Sequence, residues 1–360
     1  YGRGYFEQFR EDDDFATYGF EELTVNGETV NTTDLIRRRW LDNHFYGTVY
    51  SLRYRPTTKL DITFGGSANE YLGGHFGEVI WARNAGDSEI RDRYYDNDAT
   101  KRDFSNYLRS NYSFSPGLNG YLDLQLRTVS YEFIGVDNTG APLDQQETLT
   151  FFNPKVGLTY ELGNTGQAYA SFGVAQREPN RNDFVDSPVS SRPRPEKLYN
   201  TEIGIRRQQG AFNYGANVYH MLYRDQLVLT GELNDVGANV RINVPNSYRL
   251  GLELQGGYQV NDRFTVGGNL ALSRNRVRNF VEAFDSYDED FNFVGQEEVL
   301  REDTPLSFSP SVVGALELNY QVVATDQHLF ETGLQTKYVG ERFVDNSGVP
   351  EAALAAYYYS

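Results

Sequence analysis

Arg249-Leu250-Gly251-Leu252-Glu253-Leu254-Gln255 changes character at every residue: Tyr248, Leu250, Leu252 and Leu254 form one set, Arg249, Gly251, Glu253 and Gln255 the other. Successive side chains of a β-strand point to opposite faces, so this segment is a strand with one apolar and one polar face. The pattern recurs on both sides of it. Phe264, Val266, Leu270 and Leu272 oppose Arg263, Thr265, Asn269 and Ser273, and Val312, Leu316, Leu318 and Tyr320 oppose Glu317 and Asn319. Upstream, Phe212, Tyr214, Ala216 and Val218 oppose Asn213, Gly215 and Asn217. Tyr199, Thr201, Ile203 and Ile205 oppose Asn200, Glu202, Gly204 and Arg206.

The connections between such segments alternate in length. Short ones fall at 55–58, 115–117, 163–166, 209–210, around Asn261 and at 324–327. Long ones fall at 10–36, 71–102, 134–147, 178–196, 224–246, 277–307 and 341–353. An up-and-down transmembrane β-barrel produces this sorting, with tight turns on one side of the membrane and long loops on the other. A soluble sandwich has no reason to sort its loops by parity. The fold class expected is therefore all-β, an antiparallel transmembrane barrel with outer-membrane lipid as its surroundings. Fourteen strands are expected: 1–9, 37–54, 59–70, 103–114, 118–133, 148–162, 167–177, 197–208, 211–223, 247–259, 262–276, 308–321, 328–340 and 354–360. In a barrel the apolar set faces lipid, and Glu253, Glu202 and Arg127 face a wet interior.

Composition agrees. Mean hydropathy is −0.58, and no stretch approaches the roughly 20 apolar residues of a membrane-spanning helix. A spanning strand needs only about 9–11 residues, half of them polar, and escapes that measure. The 27 Tyr and 23 Phe beside 2 Trp suit aromatic girdles at two membrane interfaces. Cysteine is absent, so closure by backbone hydrogen bonds fits better than disulfide staples. A net charge of −17 excludes nucleic acid as a partner. The acid runs Glu11-Asp12-Asp13-Asp14 and 285–290 read as solvated loop surface. No ligand spacing supports calcium at Asp288-Glu289-Asp290. No signal peptide is read at 1–5 and the last residues read as a strand, so an interior piece of something longer is expected.

Several motifs, weak singly, stand in one order along nearly the whole chain. They are Trp40-Leu41-Asp42-Asn43-His44-Phe45-Tyr46-Gly47, His75-Phe76-Gly77-Glu78-Val79-Ile80-Trp81-Ala82 and Phe152-Asn153-Pro154-Lys155-Val156-Gly157-Leu158. Ala170-Ser171-Phe172, Arg177-Glu178-Pro179-Asn180, Pro195-Glu196 with Glu202 and Gly204, Gly251-Leu252-Glu253 and Tyr338-Val339-Gly340-Glu341 complete the series. With these the chain resembles the TonB-dependent outer-membrane receptors of Bacteroidetes-like bacteria, of the siderophore-receptor type. The resemblance implies a barrel of roughly 22 strands around a plug. It also implies import of a scarce solute, most simply a ferric chelate, with energy passed from TonB. An Asn-Leu-Phe-Asn-like segment usual in such receptors is absent. Residues 1–360 would then be a partial barrel domain, with the plug, the TonB box, the first strands and the last strands outside it.

Two groups of residues are candidates for ligand contact. His75, Trp81, Arg83 and Asn84, with Phe76, combine a rigid aromatic, a fixed cation and amide donors. That mixture suits an anionic chelate or a sugar, because Arg offers bidentate contacts and Trp a stacking face. The same stretch also suits a loop folded around Phe76, Val79 and Trp81 as its own small core. Arg177, Asn180 and Arg181 form the second group, or else a lip of solvated charge. The four histidines, His44, His75, His220 and His328, stand far apart, so neither a metal site nor a cofactor site is expected. No nucleophile signature indicates an enzyme. The other functional class open to such a chain is a surface-binding protein, an adhesin or a passive porin-like channel. A plug and a TonB box upstream would separate the two.

Overall fold

A computed structural model describes residues 1–360 apart from 26, 139, 141, 186–191, 234–238, 289–292 and 360. The chain begins with β1 (Gly2–Asp14), a short helix α1 (Phe15–Tyr18) and a hairpin of β2 (Leu23–Val25) and β3 (Glu28–Val30). Six strands follow: β4 (Thr32–Thr57), β5 (Leu60–Ala82), β6 (Arg93–Ser115), β7 (Leu118–Gly135), β8 (Gln145–Glu161) and β9 (Gly166–Arg177). After α2 (Arg181–Val185) come β10 (Glu196–Gln209), β11 (Phe212–Leu233), β12 (Asn239–Asn261), β13 (Phe264–Tyr287) and β14 (Phe293–Pro305). Then follow β15 (Val312–Ala324), β16 (Leu329–Val339), a small hairpin of β17 (Arg342–Phe343) and β18 (Ala353–Leu354), and β19 (Tyr357–Tyr359).

One sheet takes up β1, β4 to β13, β15, β16 and β19 in that order, and β14 pairs with β13 beside the path. The strands on the path stand at the fourteen places expected from alternation. The alternating sets also align between strands. Leu158, Ala170, Ile203, Val218, Leu252, Leu272 and Val312 are successive register partners from β8 to β15. The neighbouring row runs through Tyr160, Ala168, Ile205, Ala216, Leu254, Leu270 and Gly314. Ile203 is 61% exposed and Leu254 39%, so among the described residues no second layer covers this face. Aromatic residues bound the band at both ends. Phe212 and Tyr258 stack at 4.2 Å near the short turns, and Tyr199, Leu222 and Tyr248 form a row near the long connections.

The long connections differ from expectation. Of 71–102, only 83–92 is loop, because β5 runs to Ala82 and β6 begins at Arg93. Likewise β11 and β12 occupy much of 224–246, and β13 with β14 most of 277–307. Alternation reports what the two faces touch, whereas a strand persists wherever its ladder of hydrogen bonds does. Beyond the apolar band the faces change neighbours and the alternation lapses, but the ladder continues. The acid run corrects similarly: it is not merely solvated loop, since Glu11 to Asp14 prolong β1 and Asp14 caps α1, accepting from the Ala16 N–H at 2.9 Å. In the run at 285–290, Glu289 and Asp290 lie outside the described residues.

Two compact units divide the chain: Tyr1–Leu52, Thr63–Tyr107 and Gln125–Phe151 form one, and Arg53–Ile62, Leu108–Leu124 and Phe152–Ser360 the other. Each has its buried core at the long-connection end of its strands. In the first unit Phe15, Tyr18, Phe20, Leu35 and Val79 pack together, and in the second Val228, Val244, Val277, Phe280 and Leu306. Fully burying such a side chain stabilises by about 1.5–3 kcal/mol, enough to hold overhanging strands that contribute nothing to the band.

Candidate functional site

In the first unit, β5 carries His75, Trp81 and the side chains between them. Phe76 is buried within a stack: Trp40 lies over it at 5.8 Å, the Arg93 guanidinium at 3.7 Å, and Arg3 covers Trp40 at 4.8 Å. The Trp40 indole donates to Glu78 at 3.0 Å. Val79 enters the core with Phe15 and Leu35, while Trp81 is 47% exposed. Phe76, Val79 and Trp81 are therefore not a loop's own core as expected: they belong to β5, Phe76 packs on Trp40, Val79 on Phe15 and Leu35, and Trp81 stays outside. His75 is half-buried.

Arg83 and Asn84 pin the loop to β4. The Arg83 guanidinium pairs with Asp34 at 2.6 Å and its N–H donates to the Asp34 carbonyl at 2.8 Å. The Asn84 N–H donates to Thr33 Oγ1 at 2.9 Å, and Asp34 also accepts from the Asp12 N–H at 3.1 Å. Much of the Arg83 side chain remains in solvent. Sequence reasoning missed the group beneath. The Tyr18 hydroxyl donates to Asp13 at 2.6 Å and accepts from Arg37 at 3.0 Å, and Arg10 donates to Asp13 at 2.9 Å. Burial alone would raise the Asp13 carboxyl, but the Arg10 and Tyr18 hydrogen bonds hold it below its ordinary value. Burial, helped by the bond to Asp13, raises the Tyr18 hydroxyl, and burial pushes Tyr94 up to about 12.

In the second unit, Arg177 at the end of β9 pairs with Glu196 at 3.2 Å, and Glu196 also accepts from the Leu227 N–H. Asn180 and Asp183 cap α2 reciprocally: the Asp183 N–H donates to Asn180 Oδ1 at 3.0 Å and the Asn180 N–H to Asp183 Oδ2 at 2.8 Å. Asp183 holds Arg241 at 3.4 Å. Arg194, also unforeseen, pairs with Asp225 at 2.8 Å and exchanges backbone hydrogen bonds with the Asn243 side chain. Arg177 and Arg194 are exposed beyond these pairings, whereas Asn180 is committed to its cap.

The polar face of the same unit forms an open trough of about 390 Å³ lined by Tyr169, Glu202, Arg206, Asn217, Glu253 and Gln255. Tyr169 donates to Asn217 at 3.1 Å and Asn217 to Glu253 at 3.2 Å. Glycine makes room for the wall's rings: a Cβ on Gly251 would strike the Tyr219 ring. Among the described residues, no group of three or more His, Asp or Glu is placed to hold a metal ion.

A sheet whose outward rows are apolar and whose other face is a polar trough has known counterparts. The family model for the TonB dependent receptor-like β-barrel matches residues 2–359. The chain belongs to that family. Solved structures share the fold. The copper transporter OprC superposes with a TM-score of 0.64 at 13% identity, over 90% of this chain and 47% of that one. The unliganded ferric citrate transporter FecA gives 0.63 at 14%, over 91% and 47%. The FrpB iron transporter from Neisseria meningitidis gives 0.58 at 13%, over 99% and 51%. This TonB-dependent receptor-like barrel thus spans about half the length of the solved chains it matches. No curated protein sequence matches it. The family is one of outer-membrane receptors and transporters, and no described helix is long and apolar enough to cross a membrane.

Proposed function

We infer that this chain is the larger part of the barrel of an outer-membrane receptor that takes up an iron–siderophore complex with energy from TonB. The plug and the TonB box belong to the remainder of the receptor. The observation that carries the reading is the exposed apolar band backed by a polar face, which is stable only where lipid meets the band. Two groups, each within its own unit, suit an anionic chelate: Trp81 as a stacking face with Arg83 as a cation in the first unit, and Arg177 with Arg181 as cations in the second. His75 and Asn84 stand with the first group, and Asn180 with the second, as further candidate contacts. Relatives that carry copper or ferric citrate by name support the metal-chelate class.

The test is growth of a deletion strain on a panel of ferric chelates under iron limitation, complemented by the full receptor or by Trp81→Ala with Arg83→Ala. One chelate should fail to support the deletion strain, and the double variant should need at least ten-fold more of it. Undiminished growth on every ferric chelate would sink the iron reading. Uptake that persists without TonB would favour the passive channel.

A further inference from the structure

Arg274, Arg276 and Arg278 stand at alternate positions of β13, directly beyond Leu270 and Leu272 on the apolar face. Register extends this row sideways. Arg274 lies opposite Leu250 and Arg276 opposite Tyr248. Tyr248 in turn faces Leu222, which faces Tyr199. One step further out, Arg224 on β11 faces Lys197 on β10. Two ring contacts confirm the shared face: Arg278 lies over Tyr248 at 5.6 Å and Lys197 over Tyr199 at 5.1 Å. Arg224, Arg274 and Arg278 are exposed.

Asp303 is the carboxylate among these groups. It accepts from Arg274 at 2.6 Å and Tyr248 at 3.4 Å, and its carbonyl accepts from Arg276 at 3.2 Å. Five cations, Lys197, Arg224, Arg274, Arg276 and Arg278, thus lie on this face in a chain of net charge −17, and Asp303 is bonded to two of them, Arg274 and Arg276. The short-turn end of the band is different. The row through Phe212, Tyr258, Val266, Leu318 and Leu334 holds no cation, and the next row, through Tyr214, Gly256, Gly268 and Leu316, holds one, Arg207.

Like charges gathered on one patch repel unless a counter-charge is near. Their depth says what supplies it. Tyrosines at the edge of an apolar band mark the level of lipid headgroups, and guanidinium groups there pair with phosphate bidentately. We propose that this belt binds the phosphate-bearing headgroup of a lipid in the leaflet that the long-connection ends meet. The proposal rests on the membrane-barrel reading above. Arg274 is held by Asp303 and orients the patch, while Arg224, Arg276 and Arg278 with Lys197 reach the phosphates.

The experiment uses the full receptor, purified and delipidated in detergent, with lipid A as the probe and native mass spectrometry as the readout. Bis-phosphorylated lipid A should bind at least ten-fold more tightly than its dephosphorylated form. Arg224→Gln with Arg276→Gln and Arg278→Gln should erase that preference, and replacement of the same three by Lys should retain most of it. Millimolar inorganic phosphate should not compete, because the acyl chains lie along Leu250 and Leu272. Equal binding of both lipid forms to the unaltered receptor overturns the proposal and requires no variant to fold. Competition by free phosphate overturns the lipid as its source. Heat-modifiable mobility of the same sample reports the barrel separately, so a folded barrel without the preference refutes the belt alone, and a sample without the mobility refutes the membrane reading.

Discussion

Leu254 and Val244 lie on the same strand, β12, and are apolar for opposite reasons. Leu254 is 39% exposed and sits in a row with Ala216 and Leu270, where no second layer covers it among the described residues. Val244 is 2% exposed and packs with Val228, Val277, Phe280 and Leu306. One region of the strand is held by its surroundings and the other by the protein's own interior. A polar change should therefore damage the first most, and a loss of volume the second.

The largest effect is expected in the second region. Phe280→Ala removes the biggest ring from that core, and such truncations cost about 3–5 kcal/mol. The loss should stay local, with faster hydrogen exchange over β13 and β14 beyond Val277 while heat-modifiable mobility is kept. Collapse of the whole barrel on this change would show that the two regions are not energetically distinct. The converse change is Leu254→Arg, which puts a charge in the band at a cost of about 2–4 kcal/mol. It should lower the folded fraction on reconstitution into lipid vesicles, whereas Asn269→Arg, on the polar face, should not. Equal damage from both would mean that the faces are assigned the wrong way round.

The contrast also explains what could be read from the sequence. Within the band each side chain meets either an apolar or a polar surface, so composition alternates and strand places and faces are legible. Beyond it, Val277 and Phe280 are both buried although they are three residues apart, and alternation gives no sign of the strand. The arginines Arg274, Arg276 and Arg278 continue the apolar phase in plain view. A loop boundary drawn at Val277 divides them, which is why they did not register as one row. Asn180-Arg181-Asn182-Asp183 carries a legible helix-cap spacing. By contrast, the pairs Arg241 with Asp183 and Arg194 with Asp225 join residues far apart in sequence, and no local pattern encodes them. Trp81 stands out in the sequence as a rigid aromatic, but its exposure depends on Val79 taking the inward position.

A smaller effect tests that legible cap. Asn180→Ala should cost about 0.5–2 kcal/mol locally. Exchange at the Asp183 amide should quicken and Arg241 should lose its oriented partner, without change in barrel assembly. If Asn180→Ala leaves that amide as protected as before, the reciprocal bonds to Asp183 do not hold α2.

The smallest effect at neutral pH, and the sharpest in pH, belongs to the core of the first unit. Tyr18 and Tyr94 both have hydroxyls raised above the ordinary value, with Tyr94 at about 12. A phenol that is harder to ionise in the folded protein binds a proton that the unfolded chain has already released. Its contribution is fully present below the unfolded value of about 10 and is lost as pH rises through the folded value. Asp13 runs the other way. Its lowered value makes a contribution that is present above the unfolded value near 3.9 and lost as pH falls through the folded one. Tyrosinate absorbance should accordingly show a late component near 12, above the ordinary phenol value of about 10. Tyr94→Phe should reduce that component, and Tyr18→Phe should reduce it at the highest pH. Proteolysis at the α1 segment should accelerate only as the late component appears. A single ionisation step near 10 for every tyrosine would mean that water reaches Tyr18 and Tyr94, and that the strand ends of the first unit are not sealed by a core at all.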